Sequence, residues 1–140
     1  MAAFQKFNSF VEALAEKKHD LGADTLKVML SNTAPVAANA LKADLTEITA
    51  GNGYAAGGAT AAVTTSAQTA GLYRLVLADP PAWTATGGSI GPFQYAVLYN
   101  DTAANKELIG WWDYGSAVTL AAGESFAVDF DATTGVLTIQ

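Results

Sequence analysis

Trp111-Trp112-Asp113-Tyr114 is the most concentrated group of aromatic side chains in the sequence. On a strand, successive side chains take opposite faces, so Trp111 goes with Asp113 and Trp112 with Tyr114. Three arrangements fit: both faces buried, one face meeting another protein, or one face stacking on sugar. Asp113 is costly to bury without a partner. That turns the Trp111 side towards a sheet edge or a hydrogen-bonding group, and leaves Trp112 and Tyr114 as the face for a protein contact. Tryptophan and tyrosine are also the residues most enriched in interface hot spots.

Other chemistry finds little support. A catalytic triad needs histidine, and the single one, His19, sits in Lys17-Lys18-His19-Asp20 with no Gly-x-Ser-x-Gly elbow anywhere. Its expected role is to interact with the carboxyl end of a helix. Asp129 and Asp131 are two apart at a strand end and share a face. Acids about 5–9 Å apart can hydrolyse glycosides, and acids also serve calcium sites with about six to eight oxygen ligands. Only two cluster here, no calcium loop is present, and Asp131 leads into a turn, so turn and surface roles are expected. Gly51-Asn52-Gly53-Tyr54-Ala55-Ala56-Gly57-Gly58 matches neither a dinucleotide fingerprint nor a phosphate loop. Its backbone must bend sharply or run close to something. The absence of cysteine excludes disulfides, thiolate metal sites and thiol nucleophiles. The expectation is a non-enzyme, with no catalytic residue, no metal and no cofactor.

The elements that position these residues are mostly strands. Residues 1–18 form an amino-terminal arm and helix, with Phe4, Phe7, Val11 and Leu14 as an apolar stripe. Ser9 with Glu12 fits a capping box, which places Phe4 and Phe7 on an arm before the regular helix. Lys17 and Lys18 suit its last turn. This stripe is a candidate docking element, or else it caps an open end of the body. Residues 26–30 read as a strand, 32–35 as a turn, and 36–47 as a loop with a helical turn. From residue 60 the period is two, predicting strands at 60–65, 72–78, 83–86, 93–99, 108–114, 118–120, 125–130 and 136–139. Short strands, frequent turns and no intervening helices mean an antiparallel β-sandwich or barrel.

The chain has 140 residues, one domain by length. Hydrophobic residues make up 51%, but 29 of them are alanine, and charged residues are only 14% against the ~25% usual in soluble domains. A surface so poor in charge suits burial against partners. Net charge is −6 with seven basic residues, which argues against nucleic-acid binding. No apolar run approaches the ~18 residues of a membrane span, and the start lacks signal-peptide character, so neither a membrane partner nor export is expected.

The stretches from Phe7 to His19 (FNSFVEALAEKKH), Leu26 to Pro35 (LKVMLSNTAP) and Glu47 to Tyr54 (EITAGNGY) resemble small virion proteins of tailed bacteriophages. So do GSIGPF from Gly88 to Phe93, the Tyr99 to Asp101 stretch, and IGWWDY from Ile109 to Tyr114. Within that group the chain is most similar to the capsid cement, or decoration, proteins. The resemblance covers most of the sequence and implies a jelly-roll-like antiparallel β-sandwich with a short N-terminal helix. It implies a place on the capsid exterior after synthesis in the host cytoplasm, with the major capsid protein and further copies of itself, as a dimer or trimer, as partners. It supplies no catalytic residues. The contact candidates are Phe4, Phe7, Val11, Trp112 and Tyr114. The alternative is a jelly-roll recognition module of a tail or head appendage that binds host-surface sugar.

Overall fold

Residues 2–140 are described by a computed structural model. In chain order, β1 (Gln5–Lys6) and α1 (Ser9–Ala15) precede β2 (Leu26–Ser31). A single 3-10 turn spans Lys42–Asp44. There follow β3 (Ala59–Thr60), β4 (Val63–Thr69), β5 (Leu72–Leu77) and β6 (Trp83–Thr84). Then come β7 (Ile90–Asn100), β8 (Leu108–Leu120), β9 (Ser125–Phe126) and β10 (Leu137–Ile139). The protein is an all-β sandwich of antiparallel sheets with one short helix near its amino terminus. A five-stranded sheet runs β1-β8-β7-β2-β3, a three-stranded sheet runs β10-β5-β4, and β6 pairs with β9 in a two-stranded ribbon.

Alternation builds the core. Val28, Leu30, Ala96, Leu98 and Trp112 point from one face of the five-stranded sheet to meet Leu75, Leu77 and Leu137 of the three-stranded sheet. Met29, Val97, Tyr99 and Trp111 point the other way, where Phe7 and the half-buried Leu45 cover them. The centre of the five-stranded sheet is thus buried on both faces, one by a second sheet and one by the chain's own arm and loop. The accessible surface of 6905 Å² agrees with the roughly 6,800 Å² that a folded chain of this mass should expose.

Several local expectations change. The predicted strands at 108–114 and 118–120 are one strand, because the pairing resumes after an irregularity: Tyr95 faces Asp113, and Phe93 then faces Val118. The residues between them bulge outward around Gly115, whose φ of 84° favours glycine. The strand expected at 125–130 ends at Phe126. The predicted strand 60–65 divides into β3 and β4. α1 stops at Ala15, so Lys17 and Lys18 lie beyond its last turn, and Asn8 precedes it without a side-chain cap, so the Ser9–Glu12 capping box is not formed. The helix buries Phe10 and Ala13, whereas Val11 is 54% exposed. The expected stripe is out of phase because Phe4 and Phe7 lie on extended chain, where helical spacing carries no meaning.

Candidate partner-contact surface

The tryptophan pair and the arm explain each other. β1 pairs with the edge of β8, Gln5 opposite Trp111 and Lys6 opposite Gly110. Residues on either side of such a strand fall on opposite faces of the sheet. Phe4 accordingly lies against Trp112, with ring centroids 5.3 Å apart, and Phe7 lies against Trp111 at 4.5 Å. The arm therefore clips the sheet edge, with one aromatic ring on each side of it. Gly110 makes the clip possible: a Cβ there would overlap the Phe4 ring and sit 2.6 Å from the Gln5 backbone oxygen.

This geometry corrects three of the contact candidates. Trp112 is 4% exposed, held between Phe4 and Phe130, whose ring lies 5.4 Å away. Phe7 is fully buried in the second cluster, and Phe4 is half-buried on the main core. Trp112 and Phe7 are core residues with no free face for a partner, and Phe4 shows only the part of its ring that lines a surface groove. Trp111 is buried as well, so both faces of β8 are covered at this point. Asp113 avoids the cost of burial by lying where the cover ends. It accepts hydrogen bonds from the Gln94 side chain and the Gly115 N–H, which hold its carboxyl below the usual range.

Two candidates remain at the surface. Tyr114, at the start of the bulge, is 45% exposed with its ring edge-on to Phe126 at 4.8 Å. Val11 projects from α1 into a shallow apolar groove of about 730 Å³ shared with Phe4, Leu14, Val136 and Ile139. The far side of that groove is the open edge of β10. The sequence predicts a strand at 136–139 but not that Val136 and Ile139 line this groove, since strand alternation alone does not reveal which edge strand faces the helix.

The glycine segment is locked rather than loose. Glu47 Oε1 accepts hydrogen bonds from Tyr54 OH (2.7 Å) and the Gly57 N–H (2.6 Å), while its Oε2 pairs with Lys42 Nζ at 3.0 Å. Tyr54 OH in turn accepts from the Leu30 N–H, and Tyr99 OH donates to the Gly57 carbonyl. Burial, aided by the nearby carboxylates, pushes both tyrosine hydroxyls above their usual range. Gly58 passes so close to β2 that a Cβ would overlap the Val28 carbonyl. The segment thus runs close to a neighbouring strand.

Asp131 accepts from the N–H groups of Thr133 and Thr134, as a turn aspartate does, and is held below the usual carboxylate range by them. Asp129 is exposed beside it. His19 is 5% exposed and lies in a polar cluster with Asn100, its ring 5.4 Å from that of Phe10 on α1. Among the described residues, no three histidine, aspartate or glutamate side chains are arranged to hold a metal ion. No helix among them is long and apolar enough to cross a membrane. No protein-family profile matches the chain, and no curated protein or solved structure matches it.

Proposed function

We propose that this chain is a structural component of a tailed-phage particle: a capsid cement protein that sits on the shell exterior, bridges neighbouring major capsid subunits and acts as a homo-oligomer. The observation that supports this reading is where the phage-like phrases fall. FNSFVEALAEKKH contributes Phe7, Phe10 and His19, and EITAGNGY contributes the Glu47–Tyr54 lock. The phrase at Tyr99 to Asp101 contributes Asn100, and IGWWDY contributes Gly110 and the tryptophan pair. Residues within these phrases help to hold this fold together, which is what a shared scaffold would require.

The physical fit follows from load. A filled capsid pushes outward, and a bridging protein adds interface that rupture must break. Stable interfaces of this kind bury about 1,200–2,000 Å². With only 14% charged residues, such contacts leave few charges to desolvate. Repetition over the shell turns modest contacts into avidity. The sugar-binding alternative drew on the aromatic cluster, and with both tryptophans inside only Tyr114 offers a ring for stacking.

Pelleting the protein with assembled capsid shells tests the proposal. Saturable binding to shells, unaffected by soluble sugars, is the expected result. Failure to pellet with shells, together with retention on a glycan panel, would overturn it in favour of the sugar-binding module.

A further inference from the structure

We propose that His19, Asn100 and Asp24 form an acid-released latch, which holds the connection between α1 and β2 (residues 16–25) onto the turn between β7 and β8 (residues 101–107). Two backbone contacts join the segments directly: the Asp101 N–H donates to the Thr25 carbonyl, and the Thr25 N–H donates to Thr102 Oγ1. Asn100, fully buried, ties them together with its side chain. Its Oδ1 accepts from the N–H groups of Thr102 (3.0 Å) and Ala103 (3.1 Å), which fixes which way the amide faces. Nδ2 therefore points to Asp24 Oδ2 (2.6 Å) and to His19 Nδ1 (3.1 Å).

That orientation decides the histidine tautomer. An amide nitrogen only donates, so Nδ1 accepts, and the neutral ring carries its proton on Nε2. Protonation would put a second hydrogen on Nδ1, facing the Asn100 N–H. Asn100 cannot turn its oxygen to receive it without abandoning Thr102 and Ala103. The latch is therefore built for the neutral ring.

The surroundings pull in both directions. Burial is the larger effect and disfavours the cation; Glu107, at the edge of β8, and Asp24 favour it, and the balance holds His19 below the ordinary histidine range. Glu107 Oε2 and His19 Nε2 are both buried without a protein partner. Lys17, Lys18 and Asp20 flank the ring in sequence and are exposed. From the three-stranded sheet, Ser66, Tyr73 and Ile139 line the same cleft and bring no charge. From α1, the Phe10 ring lies 5.4 Å away.

The sign follows. A histidine whose folded pKa is depressed stabilises the latch fully above its unfolded value of about 6.5, and this contribution is lost as pH falls through the folded value. Acid should thus free residues 16–25 from the turn while the sandwich stays intact.

His19 is the chain's single histidine, so an imidazole nitrogen NMR titration reads it alone. The expected result is the Nε2–H tautomer titrating below 6.5. Amide exchange at Thr25, Thr102 and Ala103, corrected for intrinsic rates, should lose protection between pH 7 and pH 5. The limit is about tenfold for each unit by which the folded pKa lies below the unfolded one. In His19→Gln, which is neutral throughout, that protection should not change with pH. A ring that titrates at or above 6.5, an Nδ1–H tautomer, or wild-type protection equal at both pH values would overturn the latch. The wild-type titration decides the matter even if the variant folds poorly.

Discussion

Trp112 has the properties of an interface anchor in the sequence and those of a core residue in the fold. Packed between Phe4 and Phe130 and 4% exposed, it should cost about 3–5 kcal/mol when truncated to alanine. A domain of this kind has about 5–15 kcal/mol in all. The expected outcome for Trp112→Ala is a large fall in Tm of the isolated protein, measured by calorimetry or circular dichroism. A Tm within a few degrees of wild type would show that the side chain is not packed as described. Tyr114→Ala, by contrast, removes a ring that is 45% exposed and should leave Tm within a few degrees. Strand alternation made the opposite facing of the two tryptophans legible in advance. It could not say that each face had a cover, because that cover comes from other segments: Phe4 and Phe7, more than a hundred positions away, and Phe130.

The arm carries the largest difference between expectation and structure. Its aromatic residues were readable, and so was a helix start at Ser9 that leaves Phe4 and Phe7 on an arm, although the capping box behind that start is not formed. The pairing of β1 with β8 was not readable, because two residues of strand carry no period. Gly110 held the missing signal: a glycine beside two tryptophans marks a close backbone approach. Deleting residues 2–8 removes both rings of the clip and the β1 pairing. The fully buried Phe7 alone contributes about 3–5 kcal/mol, so the truncated chain should lose roughly 10 °C or more in Tm, or fail to fold. A truncated protein that melts like the full chain would mean that the arm only rests on the sheet. Gly110→Ala makes the same point more locally. It should loosen the arm and cost about 1–3 kcal/mol through overpacking, read as the difference in denaturation midpoint.

Taken whole, the molecule buries its three tryptophans and has few charged side chains to place on its surface. The all-β architecture was legible from turn chemistry and period two, as were most strands. The grouping into three sheets was not, since nothing local states which distant strands become neighbours. The surface candidates reduce to Tyr114 and the Val11 groove, with few charges to oppose burial against a partner. A bridging protein raises the load at which its shell opens, whereas a sugar-binding appendage does not alter it. Heating DNA-filled capsids with and without saturating protein, and following genome release with a DNA-binding dye, separates these cases. Release shifted to higher temperature in proportion to bound protein is the predicted result. Release at the same temperature with protein visibly bound would contradict a cement role.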